Sequence, residues 1–468
     1  MDSSPHSSLT GKVKRRPWWV KSLTGWSYVI YEMLFQRMQA RHLKNPLPLP
    51  PLDNVTCIVT GSTSGIGLET ARQLAFSGAR VVMAVRNQSV AFDLIKKWQT
   101  ERYGTTLLSI EVMELNLLSL SSVVKFAKAL NSRSKPLQVL INNAGMFSMG
   151  EPQKFSKDGY ETHLQVNFLA PALLSILLLP SLVKGSPSRI INVNSIMHYM
   201  GFVDTDDMNF TLGKEKFNST KAYSSSKLAQ IMFYSVLQKR LPLEAGISVL
   251  CVSPGTVHTN VTRDLPKLVQ GDYNLIPVFL FSAQEGSRSA LHAATDPEIP
   301  EHDWPTCAYI SHYCRPTRAA KEAHNTRAAN EVWEKTLDMI GLPLDVVEKL
   351  LQGEEAMYKW GIFIKRFMMI LHTISCSFLH HGIVIVNEIG QEFVSHKDNM
   401  DISLFAAQST ISMMGGNPSV RLGSIDIHKV AQHYMSTDEA DCSFTCPAAL
   451  AADLSAWQHR RALPLLVV

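Results

Sequence analysis

Residues 60–67 read TGSTSGIG, and this stretch decides the fold. It follows an apolar, β-branched run (VTCIVT, 55–60) of the buried-strand type and precedes a helical pattern (GLETARQLAFSGA, 67–79). Glycines here permit a tight turn, close approach of the backbone to a ligand and close helix–strand packing. The first N–H groups of the helix point at an anion. We predict that the loop binds the diphosphate of a dinucleotide through Thr60, Gly61, Ser62, Thr63, Ser64, Gly65, Ile66 and Gly67.

Strand and helix patterns alternate from this loop to about residue 340. Such alternation predicts a parallel sheet with helices on both faces, joined by right-handed crossovers. We therefore predict an α/β fold with a Rossmann-type doubly wound parallel sheet. Residues 52–355 form its single catalytic domain, residues 1–51 an N-terminal extension and residues 356–468 a C-terminal extension. Further strands are predicted at 79–85, 109–113, 139–142, 189–194 and 247–252.

The composition is that of an ordinary globular protein. The chain has 468 residues, a net charge of +5, and 46% hydrophobic and 18% charged residues, which gives no sign of a nucleic-acid partner. Its seven cysteines are scattered, which favours free thiols in a reducing compartment. No metal site is predicted, because the spacing of the candidate zinc ligands fits no standard site. Those candidates are His428, His433, Cys442 and Cys446.

The two extensions differ from the central part. A basic cluster at 12–16 precedes an aromatic-rich stretch at 18–35, which Lys21 and Gly25 interrupt too early for a membrane span. The segment fits an interfacial membrane helix, a helix docked on the catalytic domain, or a transit peptide. The run NPLPLPPLD (45–53) is typical of a stiff linker. The C-terminal extension shows no clear period, and we predict that it is poorly ordered.

The end of the second strand indicates which dinucleotide binds. Arg86 stands where an acidic residue would bind the ribose 2′-OH of NAD, and a basic residue accommodates the 2′-phosphate of NADP. We predict NADP(H) in preference to NAD(H). Arg86 could instead be a solvated arginine at the end of a strand. The glycine loop could likewise be a turn that binds no ligand.

A second motif, YSSSK, supplies proton-transfer chemistry. Tyr223 and Lys227 are four residues apart at the start of a helical pattern, so they share a face. A phenol titrates near ~10, and a fixed ammonium together with a cationic nicotinamide lowers that value by stabilising the phenolate. The pair predicts a tyrosine that acts as acid and base.

Polar residues at neighbouring strand ends complete the candidate site. Ser195 directly follows a strand, where its hydroxyl can hydrogen-bond a substrate carbonyl. Asn167 lies in an apolar helical stretch, and its buried amide needs a partner such as a water linked to Lys227. NNAG (142–145) and SPGTVHT (253–259) each follow a strand, and the second forms a turn toward the nicotinamide. From these motifs we predict cofactor contacts for Asn143, Ala144, Gly145, Pro254, Gly255, Val257 and Thr259, besides Tyr223 and Lys227.

The ordered set of motifs, covering residues 55–342, resembles the short-chain dehydrogenase/reductase family. The resemblance implies that Asn167 holds a water, Ser195 orients the substrate, Tyr223 is the acid/base, and Lys227 lowers the tyrosine pKa and binds ribose. It also implies an adenine contact after the third strand. Relatives usually carry Asp there, whereas this chain has Asn116, which keeps a hydrogen-bonding side chain.

Longer segments are similar to one branch of that family. HYMGFVDTDDMNF (198–210) and AYISHYCRPTRAAKEAHN (308–325) resemble the retinol-dehydrogenase-like branch. WSYVIYEMLFQR (26–37) and PSRIINVNSIMHYMGFVDTDDMN (187–209) are similar to the plant oxidoreductases of the Forever Young type. That similarity implies a plant source but no substrate, and no counterpart of residues 356–468 is recognised.

The predicted substrate is small and apolar. The residues expected to line its pocket carry no charge, which suits a lipid, retinoid, steroid or terpenoid carbonyl or alcohol; about half of them are expected to be core instead. The alternatives are a catalytically silent NADP(H)-binding regulator and a sugar-nucleotide epimerase, against which the glycine spacing argues. We expect a cytosol-facing membrane surface, such as the endoplasmic reticulum, with the plastid as the alternative. The Leu-rich helix 173–183 is expected to pack against the sheet and a neighbouring helix, and the family resemblance implies that a similar surface can form a homodimer. The predicted lining is Met146, Phe147, Met149, Ile196, Met197, Tyr199, Met200, Phe202, Leu265 and residues 276–281.

Overall fold

Seven parallel strands form the centre of the computed structural model, in the order β3-β2-β1-β4-β5-β6-β7. The chain begins in the middle of the sheet, winds to one edge and then returns to build the other. The order therefore reverses between β1 and β4, where doubly wound sheets bind their ligands. The predicted doubly wound α/β fold is confirmed. The strands are β1 (Thr56–Thr60), β2 (Arg80–Val85), β3 (Ile110–Glu114), β4 (Val139–Asn142), β5 (Ser188–Val193), β6 (Ile247–Val252) and β7 (Ala308–Ile310).

The structure describes residues 18–101, 107–213, 216–258, 279–299 and 307–354, without the side chains of residues 18 and 19. The C-terminal extension, with the histidines and cysteines considered for zinc, lies outside these residues. The α-helices are α1 (Trp18–Gln39), α2 (Gly65–Phe76), α3 (Gln88–Glu101), α4 (Leu120–Asn131), α5 (Thr162–Leu164), α6 (Ala170–Leu177), α7 (Leu179–Lys184), α8 (Ser219–Arg240), α9 (Ala283–Thr295), α10 (Thr326–Ile340) and α11 (Val346–Leu351).

Both faces of the sheet are covered by apolar side chains. Along β1, Ile58 joins the core under α4, α6, α8 and α10, whereas Cys57 and Val59 join the core under α2, α3 and α9. Phe233 of α8 stacks on Trp333 of α10, with ring centres 4.7 Å apart, and this contact packs α10 against α8. Burial on both faces explains why the strands read as continuous apolar runs rather than as alternating ones.

The Leu-rich segment 173–183 lies inside this chain. Leu173, Leu174, Leu178, Leu179 and Leu182 of α6, α7 and their junction are fully buried in the first of the two cores. The expectation that this helix packs against its own sheet is confirmed. These leucine side chains are therefore not available to a second copy, and a homodimer through the rest of this segment stays a prediction.

Helix α1 packs along the catalytic domain, as one of the sequence alternatives expected. A side chain on Gly25 would clash with Met200, and Tyr28 stacks on Tyr199 with ring centres 4.5 Å apart. The opposite face of the helix is exposed and strongly apolar. None of the helices in the described part of the chain is both long and apolar enough to cross a membrane.

Candidate functional site

The glycine loop forms a turn between β1 and α2. Gly61 and Gly65 have φ values of +65° and +55°, which glycine adopts at little cost. A Cβ added to Gly67 would lie 2.2 Å from Nδ2 of Asn143, so only glycine allows α2 this close to β4. The N-cap residue of α2, Ser64, makes no side-chain capping bond. The first N–H groups of α2 therefore lack this capping partner and suit a phosphate.

The buried hydroxyl of Ser62 supports the same interpretation. Ser62 is fully buried, yet its Oγ has no hydrogen-bond partner among the described residues. A buried polar atom of this kind needs a partner, and a bound dinucleotide offers several. The glycine turn, the helix terminus and this hydroxyl fit a dinucleotide cofactor at the crevice between β1 and β4.

The end of β4 is tied to the glycine loop by hydrogen bonds. Oγ1 of Thr60 accepts bonds from the backbone N–H groups of Asn143 and Ala144, both at 3.0 Å. The amide of Asn143 donates to the carbonyl of Thr60 at 2.9 Å. The structure thus brings together two motifs that lie 83 residues apart in the sequence.

Lys227 occupies the centre of the site. It is buried on α8, and its Nζ donates to the carbonyl of Val193 at 2.8 Å. A Cβ added to Gly145 would lie 3.7 Å from this Nζ, so the NNAG turn reaches the same point. Burial lowers the pKa of Lys227 to about 8, against a small opposing effect of Cys251. The ammonium is charged at neutral pH. The free energy lost by burying this charge is offset if the ammonium stabilises an anion.

Tyr223 lies one helical turn before Lys227, as its spacing predicts. Nζ of Lys227 is 5.8 Å from the centre of the Tyr223 ring. The ring stacks on Phe147 with centres 4.4 Å apart, and the edge contact with His163 has its centres 6.4 Å apart. These contacts hold a partly exposed phenol at the mouth of the crevice.

Asn167 lies in a π-helical turn, Gln165–Leu169, that interrupts an otherwise α-helical segment. Its Oδ1 accepts from the N–H of Met146 at 2.8 Å, and its Nδ2 donates to the carbonyl of Met146 and to Oγ of Ser226 at 3.0 and 3.1 Å. The sequence reasoning expected a water to satisfy this amide. The side-chain amide does not need that water, because protein groups satisfy it; the role of holding a water, which the family resemblance implies for Asn167, stays a prediction.

Ser195 caps a 3₁₀ helix, Ile196–Met200, at the end of β5. Its Oγ accepts from the N–H of Met197 at 3.2 Å. The next turn adds His198, which sequence reasoning did not single out: its Nδ1 lies 2.7 Å from the Ser195 carbonyl, and its Nε2 accepts from the N–H of Ala320 at 3.1 Å. Burial lowers the pKa of His198 to about 4, so the ring stays neutral and holds the Ser195 backbone.

Arg86 and Asn116 end two adjacent strands. Arg86 is exposed directly after β2, whose last residue Val85 pairs with Glu114 of β3. Asn116 uses its side chain locally, because its Oδ1 accepts from the N–H of Leu118 at 3.1 Å. The carboxyl ends of parallel strands share one edge of the sheet, so both residues lie near that edge, and their contact with the adenosine half of the cofactor stays a prediction.

The turn after β6 approaches the glycine loop from the other side. Pro254 is buried, and Gly255 has a φ of +81°. Val257 packs with Phe281 in a small cluster against which Ile66 also packs. The turn after β6 therefore lies close to the first turn of α2, and the cofactor contacts of Val257 and Ile66 stay a prediction. Thr259 lies outside the described residues.

Part of the predicted pocket lining proves to be core, as expected. Met200 is fully buried against α1, and Tyr199 stacks on that helix and donates to the carbonyl of Arg318 at 2.5 Å. Phe147 faces the Tyr223 ring. Leu265 and residues 276–278 lie outside the described residues.

A short chain dehydrogenase model matches residues 55–206 and 208–269. A dehydrogenase/reductase SDR family member, FEY, from Arabidopsis thaliana is 60% identical over 367 residues, which cover 77% of this chain and 97% of that protein. The chain belongs to the short-chain dehydrogenase/reductase family. It is an oxidoreductase that acts on CH–OH groups, and its family uses NAD(P).

Two human relatives define the branch. Retinol dehydrogenase 11 is 34% identical over 290 residues, covering 62% of this chain and 86% of its own length. Polyprenol dehydrogenase is 32% identical over 327 residues, which cover 68% of this chain and 94% of that protein. The predicted resemblance to the retinol-dehydrogenase-like branch and to its plant group is confirmed.

Proposed function

We propose that this protein is an NADP(H)-dependent oxidoreductase that interconverts an apolar carbonyl and its alcohol, with Tyr223 as acid and base. One observation carries the proposal: the buried ammonium of Lys227 lies within 5.8 Å of the Tyr223 ring centre and beside the turn at Gly145. A buried cation at this place is costly for the fold and useful for a phenolate.

The residues divide the chemistry between them. The nicotinamide supplies or accepts the hydride when bound. In reduction, Tyr223 donates its phenolic proton to the substrate oxygen, and in oxidation it takes that proton back. Lys227 stabilises the phenolate form in both directions, and Ser195 orients the substrate oxygen. Asn167 acts through the π-helical turn, which aligns the NNAG strand end with α8.

An apolar substrate suits the surroundings of Tyr223. Phe147 stacks on the phenol, and Met197 lies in the 3₁₀ turn behind Ser195. Side chains of this kind exclude water from the reacting oxygen and contact a hydrocarbon chain or ring. The retinol and polyprenol dehydrogenases among the relatives support a lipid-like alcohol or aldehyde.

Replacing Arg86 with Asp should invert the cofactor preference. Loss of charge-assisted bonds to a 2′-phosphate, plus repulsion from the carboxylate, should weaken NADPH binding about tenfold to a hundredfold. NADH binding should hold or improve. Fluorescence titration of the full chain with both cofactors measures this, with Arg327→Asp as a control for an exposed arginine on α10. Equal NADPH affinity in wild type and Arg86→Asp contradicts the assignment.

We further propose that the catalytic unit is α1 together with residues 52–355, and that the outer face of α1 rests on a cytosol-facing membrane surface. Its exposed residues recur at helical spacing and include three aromatic types, which favour the headgroup region. Arg41 and Lys44 follow the helix and are exposed. This outer stripe consists of Leu23, Trp26, Ile30, Tyr31, Leu34, Phe35 and Met38.

A double substitution in the outer stripe tests the membrane contact. Ile30→Glu with Leu34→Glu should lower partitioning of the full chain onto anionic phospholipid vesicles by more than about tenfold, since each buried CH₂ contributes roughly 0.8 kcal/mol. Leu212→Glu with Leu243→Glu changes two exposed leucines elsewhere and should leave partitioning unchanged. Unchanged vesicle binding with loss of a dimer in the stripe variant would assign the stripe to a second copy instead.

A further inference from the structure

The inner face of α1 places a buried amide beside the turn that follows β6. Gln36 is fully buried, its Nε2 donates to the carbonyl of Thr256 at 3.0 Å, and its Oε1 accepts from the N–H of Thr256 at 2.9 Å. The two residues are 220 positions apart. Paired bonds of this kind are what a neighbouring strand would offer, so the amide fixes the main chain at Thr256 in position and orientation.

The same amide holds a second piece of main chain. Nε2 of Gln36 also donates to the carbonyl of Phe279 at 2.6 Å. The adjacent Arg37 donates to the carbonyl of Leu280 at 2.6 Å and pairs with Glu285 at the start of α9 at 3.1 Å. Because the N–H of Phe281 donates to Thr256 at 3.0 Å, the two stretches form one unit against α1.

Gly255 is shaped for this contact. Its φ of +81° favours glycine, and an added Cβ would lie 2.7 Å from Oε1 of Gln36. The turn therefore takes this form only with glycine at 255, and the glycine leaves room for the amide. Removing the amide would leave the N–H of Thr256 without this partner in a partly buried place, which favours rearrangement of the turn.

We propose that Gln36 is a positioning residue for the nicotinamide half of the cofactor, an inference that rests on the proposed function. Pro254, Gly255 and Val257, which we assign to cofactor binding, flank the residue that Gln36 holds. Gln36 itself touches no reacting atom, and it acts by keeping the turn in the form that meets the nicotinamide. The N-terminal helix thereby forms part of the active site from outside the α/β domain.

A comparison of whole cofactor with half cofactor tests this role in the full chain. Gln36→Met should weaken NADPH binding about tenfold while leaving adenosine 2′,5′-bisphosphate, which lacks the nicotinamide half, within about twofold. The matched control is Gln238→Met. Gln238 brackets the other end of β6 in the same way, accepting from the N–H of Val249 at 2.6 Å and donating to the carbonyl of Ile247 at 3.4 Å. This control should leave both affinities unchanged.

The variant Gln36→Glu gives a second readout. Its carboxyl, when protonated, restores one donor, toward the carbonyl of either Thr256 or Phe279, and when ionised it repels both carbonyls. Burial at this place raises the pKa of a carboxyl above its usual ~4.3, so NADP⁺ affinity relative to wild type should recover as pH falls from about 8 toward about 5. Equal weakening of both ligands by Gln36→Met, or of neither, overturns the inference. Wild-type protein that binds no NADPH contradicts the proposed function as well.

Discussion

Replacing Tyr223 with Phe should lower kcat for carbonyl reduction by roughly 10²- to 10⁴-fold, the usual contribution of a positioned acid or base. The substitution removes the proton donor and keeps the ring that stacks on Phe147 at 4.4 Å. NADPH affinity should change far less than kcat, by about tenfold at most, because the variant loses a single hydroxyl contact with the cofactor and keeps Lys227. Steady-state turnover with an apolar aldehyde, together with cofactor titration, separates the two effects.

Tyr234 provides the matched control on the same helix. Its hydroxyl is fully buried, 2.8 Å from Oγ of Ser175, and accepts from Nδ2 of Asn142 at 3.3 Å, so Tyr234→Phe removes a hydroxyl from α8 whose bonds are all within the core. That variant should lose some stability and keep its turnover. A Tyr223→Phe enzyme with wild-type kcat would show that another group transfers the proton.

The second large effect is expected from Lys227→Met, which should lower kcat by about 10²-fold or more and weaken cofactor binding. Methionine fills a similar volume but cannot stabilise a phenolate, donate to Val193 or contact ribose. Lys227→Arg should not restore activity, because a planar guanidinium does not fit the buried site that the Lys227 ammonium occupies. Wild-type turnover in Lys227→Met would contradict the assigned role.

We expect the free energies of unfolding of the wild type and Lys227→Met to differ by an amount that depends on pH. Burial lowers the pKa of Lys227 to about 8 in the folded chain, against an unfolded value of 10.5. Between these values the unfolded state binds more protons, so the wild-type free energy of unfolding should rise with pH relative to Lys227→Met. The gain approaches about 3 kcal/mol by pH ~10.5, at 1.36 kcal/mol per unit. Urea unfolding of both proteins at pH 7, 8.5 and 10 tests this; parallel curves contradict it.

Much of the fold could be predicted because its determinants are local. Strands β4 and β6 have the predicted bounds, and the glycine loop marks the start of α2 within two residues. Buried parallel strands and glycine turns are each recognised from a short contiguous stretch of sequence. The three-residue strand β7 was missed, because so short a run has no period that distinguishes it from a loop.

The remaining parts of the site depend on contacts between distant segments. Gln36 reaches Thr256 across 220 residues, and His198 meets Ala320 across 122. Both residues lie in segments that resemble the family, but nothing in the sequence distinguishes either from an ordinary polar side chain. Asn167, in its π-helical turn, likewise makes hydrogen bonds to Met146, Ser226 and Gln230. These partners are distant in the sequence, which is why a water was predicted as the partner of the Asn167 amide.

Transfer of deuterium tests the central claim most directly. The full-length protein would be incubated with NADPH deuterated at the transferable position of the nicotinamide and with all-trans-retinal or a polyprenal, and the alcohol analysed by mass spectrometry. We expect deuterium in the alcohol with wild type and almost none with Tyr223→Phe. Tight NADPH binding with no deuterium transfer to either aldehyde would contradict the proposed activity and favour a catalytically silent NADP(H)-binding regulator.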